Sequence, residues 1–258
     1  MINIFKKFKK KEPDSSPKEN WEDLKPILEP HKQLAWFPKI IEKDSPPTSS
    51  KFSGIPALSK DETWPCCSNC NEPMQLFLQL NSQDLPKSEK SVFGEGMLQV
   101  FYCTNWDKEC EVSCEAFFPF SKSTLVRVVD YKDELIASPE TSPVKGAFAE
   151  KQIIGWESQE DYPNWEELEN MGVTLTDEQC DLLCDLEYPL PNDKLLGWPC
   201  WVQGVEYPDC PECGEPMKLI FQIDSEDNLP YMFGDMGCSH ITQCEHHKDK
   251  LTIAWACG

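Results

Sequence analysis

The 258-residue sequence predicts an internally duplicated, strand-rich chain with a few helices and two cysteine knuckles. Three observations carry this. First, Gly54–Asn81 and Gly197–Asp224 align without a gap at a constant offset of 143 over 28 positions. Ten positions are identical: Gly54, Pro56, Pro65, Cys67, Cys70, Glu72, Pro73, Met74, Leu76 and Gln79 match Gly197, Pro199, Pro208, Cys210, Cys213, Glu215, Pro216, Met217, Leu219 and Gln222. Second, each copy holds a C-x-x-C that leads directly into an apolar run of strand length. Third, 22 Pro against 12 Gly favour stiff turns and loops over a helical bundle.

Taken in order, residues 1–19 read as a flexible basic leader, whose Ile2, Ile4, Phe5 and Phe8 offer at most a weak amphipathic contact with a membrane surface. Asn20–Leu28 reads as a helix shortened by Pro26, and the run after it is strand-like around Ile40 and Ile41. The first repeat, about 50–130, opens on a turn at Gly54–Pro56. Its strands are Met74–Leu80, whose partial alternation suits a mostly buried strand, then Met97–Cys103 and the β-branched Ser123–Val129. An insert, about 132–190, holds a Pro/Ser-rich linker (Ser138–Val144) and a strand at Lys151–Glu157. Two helices follow at Trp165–Met171 and Asp177–Leu186, the second capped by Thr176 with Gln179. Cys180 and Cys184 on that helix are expected in its core. The second repeat, about 195–258, supplies strands at Met217–Ile223, around His240 and at Leu251–Cys257. Residues 20–258 thus form one duplicated domain.

Zinc takes four tetrahedral thiolate or imidazole ligands, so each C-x-x-C needs a second pair from a neighbouring strand end. Gly96 lies seven residues before Cys103, and Gly237 seven before Cys244, which aligns those two cysteines. The expected sets are Cys67, Cys70, Cys103 and Cys110, with Cys114 competing for the last place, and Cys210, Cys213, Cys244 and His247, with His246 competing. The two zinc ions would be structural, because four protein ligands leave no open position. Cys66, Cys200, Cys238 and Cys257 have no cysteine opposite them in the other copy and are read as non-ligands. No secretory h-region and no long apolar run is present, so a cytoplasmic location with metal-bound rather than disulfide-bonded cysteines is expected.

The segments FYCTNWDKECEVSCEAFFPFS, LLGWPCWVQG, CPECGEPMKLIFQID and GDMGCSHITQC resemble the YwqG-like family, bacterial proteins of unknown function, over roughly residues 50–258. The C-x-x-C knuckles and the strands after them are similar to those of eukaryotic programmed cell death protein 2 and its ribosomal-protein chaperone relatives. The resemblance implies an α+β fold, predominantly antiparallel β, duplicated about a pseudo-twofold. It implies no catalytic residue.

The sequence contains no H-E-x-x-H, G-x-S-x-G, P-loop or dinucleotide fingerprint. His240 is expected to be packed rather than catalytic, and Glu95 and Asp235 to serve equivalent turns. A net charge of -21 and acidic knuckle flanks argue against nucleic acid. The expectation is a non-enzymatic, zinc-stabilised protein-interaction module with a basic protein partner, chaperone-like or inhibitor-like. The alternative is an enzyme or small-ligand-binding protein with its site between the two repeats.

Overall fold

The computed structural model describes residues 17–60, 62–130, 135–137 and 141–258. Of the expected leader only residues 17–19 fall within this range, where they open a helix; the expected linker falls within it only over 141–144. The strands are β1 (Gln33–Ile41), β2 (Lys51–Phe52), β3 (Ala57–Ser59), β4 (Gln75–Asn81), β5 (Met97–Tyr102), β6 (Thr124–Val129), β7 (Leu135–Ala137), β8 (Lys151–Asp161), β9 (Lys194–Leu196), β10 (Lys218–Asp224), β11 (Cys238–Gln243) and β12 (Leu251–Ala256). The helices are α1 (Pro17–Leu28), α2 (Cys110–Ser113), α3 (Trp165–Asn170) and α4 (Asp177–Asp185).

Ten strands make one antiparallel sheet in the order β12-β11-β10-β9-β1-β8-β2-β4-β5-β6, and β3 pairs with β7 apart from it. The long β1–β8 ribbon is the centre, with a short strand and a three-stranded meander on each side. The sheet is nearly closed on itself: the Phe117–Phe120 segment beside β6 reaches β12, where Trp255 N donates to Phe117 O at 3.1 Å and Phe120 N to Thr252 Oγ1 at 2.6 Å. Near-closure leaves few unpaired edge groups for intermolecular pairing. Inside it, Phe77, Tyr102, Tyr231 and Phe233 form one aromatic cluster, with centroids 4.9–6.1 Å apart. Helices α1, α3 and α4 build a separate small core from Leu24, Leu28, Tyr162, Leu168 and Leu183.

β4 is buried at all seven positions, which is why its sequence alternates only partly. Its polar residues serve the loops laid over the sheet. Gln79 Oε1 accepts from Ala57 N at 2.9 Å and its Nε2 donates to Ser49 O at 2.8 Å. In the other half Gln222 Oε1 accepts from Cys200 N at 2.8 Å and its Nε2 donates to Asn192 O at 2.9 Å, each partner 143 residues further on. A buried backbone group needs such a partner, so these glutamines are structural.

The same offset recurs in two buried ion pairs. Lys51 Nζ meets Glu150 at 3.3 Å, and Lys194 Nζ meets Asp161 at 2.8 Å. Glu150 immediately precedes β8 and Asp161 ends it, so the central strand is gripped at both ends. Asp161 also accepts backbone N–H groups from Tyr162, Leu190 and Trp198. Gly54 and Gly197 lie against these carboxylates with φ of 82° and 75°; a Cβ would come within 1.9 Å of Glu150 Oε2 or 2.5 Å of Asp161 Oδ2. This accounts for glycine at both positions of the repeat.

Two expectations need correction. Cys180 is only half-buried and Cys184 is exposed, because α4 turns Leu183 inward instead. β8 runs to Asp161 rather than Glu157; its exposed end is held by β1 and by pairs such as Lys32–Glu160 at 3.0 Å. The capping box of Thr176 and Gln179 is present.

Lys194→Met leaves Asp161 buried without its cation and is expected to cost about 3–5 kcal/mol in urea unfolding. Lys39→Met, at an exposed ion pair, is expected to cost under about 1 kcal/mol. Equal losses in the two variants would refute the buried-pair account.

Candidate metal centres

Each knuckle is a tight turn made by the same backbone bonds. Cys67 N donates to Glu72 O, Asn71 N to Cys67 O and Met74 N to Pro65 O, at 2.8–2.9 Å. Cys210 N, Gly214 N and Met217 N make the corresponding bonds to Glu215, Cys210 and Pro208. Asn71 and Gly214 hold the positive φ that the turn requires, at 60° and 73°. Met74 and Met217 are buried beneath the turns, and each knuckle then enters β4 or β10.

The turns bring together both sets of residues named from spacing. Cys67, Cys70, Cys103 and Cys110 form one group and Cys210, Cys213, Cys244 and His247 the other, with the ligand atoms of each group within 4.8 Å of one another. Cys103 follows the end of β5, and Cys110 begins α2, a helix with no sequence signal of its own. Cys244 follows β11, and His247 sits in the turn toward β12. Cys114 and exposed His246 belong to neither group, and nor do Cys66, Cys200, Cys238 and Cys257.

The donor spacing fits a tetrahedral ion. Sulfurs about 2.3 Å from a zinc at the tetrahedral angle lie about 3.8 Å apart. The Cys70–Cys103 and Cys213–Cys244 sulfurs are 3.7 Å apart, and His247 Nδ1 is 3.7 Å from both Cys210 and Cys244 Sγ. These separations also exclude disulfides, whose sulfurs lie about 2.05 Å apart. Each group can therefore hold one metal ion. Outer bonds steady the donors: Asn69 Nδ2 donates to Cys110 Sγ at 3.4 Å, and His247 N to Cys244 Sγ at 3.3 Å. Burial pushes the Cys103 thiol up, so a cation there must offset its desolvation.

Sequence reasoning missed the residue beside Cys110. Glu111 accepts from both Tyr102 and Tyr231, and Tyr102 OH accepts from Trp255 Nε1 at 2.9 Å. Burial pushes both phenols far up, which keeps them as neutral donors. This network ties the first metal group to the aromatic core of the other half; single carboxylates and tyrosines far apart in sequence carry no signal of it. Asp193 is also buried, and burial pushes its pKa up to about 8 while it accepts from Asp224 N and Asn228.

Other acidic residues divide between loop bonding and solvent. Asp84 accepts from Ser50 N and Oγ, and Asp224 from Asn192 N and Ser225 N, so both serve loops. Glu95 and Asp235 are exposed. His240 is buried on β11, its ring 4.5 Å from Trp201. Burial, then the nearby Lys194 ammonium, pushes its pKa down to about 3. Among the described residues, no helix is long and apolar enough to cross a membrane.

A family model described as a domain of unknown function (DUF1963) matches residues 50–246. No curated protein matches the chain.

Cys110→Ser and His247→Ala are each expected to lower the metal bound per chain by about one equivalent, while Cys114→Ser and His246→Ala leave it unchanged; elemental analysis decides. His240 is neutral in the fold and takes a proton on unfolding below pH 6.5, so its contribution to stability is present above that pH and lost as pH falls toward 3. His240→Gln is therefore expected to remove up to about 1.4 kcal/mol per pH unit of slope below pH 6.5 in urea unfolding. An unaltered slope would contradict a buried neutral imidazole.

Proposed function

The chain belongs to the family described as a domain of unknown function (DUF1963), which assigns it no chemistry, and we propose from its sites that it is a non-enzymatic, zinc-stabilised protein-interaction module whose partner is a basic protein. The observation that carries the reading is closure. Each metal group has four protein donors, which suits a fold-stabilising ion and leaves no position for a substrate or water. Three or four thiolates in tetrahedral array favour zinc over magnesium or calcium. Zinc there supplies cross-linking, tying each knuckle to the strand end facing it.

We also infer that the two halves arose by duplication. What supports this is the 143-residue offset shared by knuckle turns, glutamine bonds, buried lysines and glycines, with a strand order that reads alike from either edge. A net charge of -21 supports a basic partner, since complementary charge steers association. A cytoplasmic location belongs to this reading: all 14 cysteines are free, as in a reducing compartment.

The second reading, an enzyme or small-ligand site between the halves, draws on one cavity walled by Phe117, Phe118 and Pro119 on one side and by Trp201, Glu206, Tyr207 and Pro208 on the other. Its histidine is buried and neutral, and the thiol beside it, Cys238 Sγ at 3.8 Å from His240 Nε2, is itself buried and pushed up by that burial, so we rank it second.

The test joins metal analysis to partner capture. The purified chain is expected to carry two zinc equivalents, and chelation is expected to lower its melting temperature. Tagged chain with its zinc is expected to capture a basic protein stoichiometrically from native extract, with capture lost as salt rises. No metal on chain purified without chelator, or no specific capture at any salt, would overturn the reading.

A further inference from the structure

The two halves differ at one place where their frameworks coincide. Across three neighbouring strands of the first half, Gln79, Gln99 and Arg127 stand in a row. The matching row of the second half is Gln222, His240 and Ala254. The middle positions sit alike: Gln99 Nε2 donates to Ala57 O at 2.6 Å, and His240 lies beside the backbone of Cys200, 143 residues beyond Ala57. The third position differs. Arg127 extends its guanidinium over the sheet, donating from Nε and Nη2 to Gln99 Oε1 at 3.0 and 2.9 Å and pairing with Glu62 at 2.5 Å. It also lies 5.7 Å from the Phe101 ring centroid.

In the second half the matching side chain is the methyl of Ala254, and a cavity of about 320 Å³ opens over Ala254 and His240. Its walls are aromatic. Trp201 and Tyr207 meet edge to face with centroids 4.9 Å apart, and Phe117 and Phe118 stand 4.8 Å from each other. Trp201 is held in orientation by Glu167, which accepts its Nε1 hydrogen at 2.8 Å. Exposed Glu206 lines the cavity, one residue beyond the position that matches Glu62 by the offset of 143. Aromatic faces attract cations, guanidinium above all, and a carboxylate at the mouth completes the pair that Glu62 makes with Arg127. His240 is neutral and does not repel a cation.

We infer that this cavity receives the guanidinium of an arginine presented by a protein partner, in the place that the chain's own Arg127 occupies in the other half. The class of occupant rests on the basic-partner reading above; the cavity and its arginine preference do not.

The test uses the full, metal-loaded chain and a fluorescein-labelled peptide of alternating glycine and arginine, with lysine and citrulline versions, followed by fluorescence anisotropy. The arginine peptide is expected to bind at least tenfold tighter than either of the others. Ala254→Arg, which supplies the cavity with an internal guanidinium, and Glu206→Lys are each expected to weaken it at least tenfold. Asp235→Lys, an exposed acid outside the cavity, is expected to change it less than twofold. Circular dichroism and metal content establish that the variants fold; if Ala254→Arg does not, exposed Glu206→Lys still decides. Basic peptides that bind equally well to Glu206→Lys and wild type overturn the cavity and leave the basic-partner reading standing. A chain that binds neither arginine nor lysine peptide overturns both. Free arginine binding as tightly as the peptide assigns the cavity to a small guanidino compound and overturns the protein occupant.

Discussion

The whole sheet hangs on two buried ion pairs at the ends of β8. A lysine ammonium removed from water is tolerated only beside a well-placed carboxylate. Here Lys51 and Lys194 come from the short strands flanking the centre, and Glu150 and Asp161 from the two ends of the central strand. Each pair fixes register as well as charge, because a slip of one residue would send the lysine to the other face and strand the acid. The glycines at 54 and 197 then follow, since nothing larger fits against those carboxylates. Strands β2 and β9, of two and three residues, each carry one of these buried lysines.

The two candidate metal groups are placed to hold what the ion pairs leave loose. Each lies at the outer end of a meander, where a knuckle and a strand end face each other across a loop rather than a ladder. A metal ion held by four donors at this spacing would join these segments with a bond strength that a small satellite core of Met74 and Leu76, or of Met217, does not supply. The Glu111–Tyr102–Tyr231 network carries the first group's position inward to the aromatic core, so knuckle and barrel interior are mechanically continuous.

Near-symmetry makes the departures from it informative. Ser50 corresponds to buried Asp193, Asn69 to Glu212, and Cys110 to His247, and in each case a local partner changes with the residue. At the place that Arg127 fills in the first half, Ala254 stands in the second, and no lysine or arginine is among the described residues lining the aromatic cavity there.

Features set by local chemistry were legible in the chain itself. The repeat, the C-x-x-C knuckles, the Thr176 capping box and the strand runs from Met74, Met97 and Leu251 are each written in contiguous residues, and spacing alone narrowed the metal donors to two sets with one competitor apiece. Tertiary structure decided the rest. It chose Cys110 over Cys114 and His247 over His246, because donor geometry depends on how α2 and the β11–β12 turn approach the knuckles. It turned Cys184 outward, buried Lys194, and brought Glu111 to two tyrosines 9 and 120 residues away. Sequence records side-chain chemistry and short-range period; which distant charges meet in the interior is settled only when the sheet curls and water is excluded.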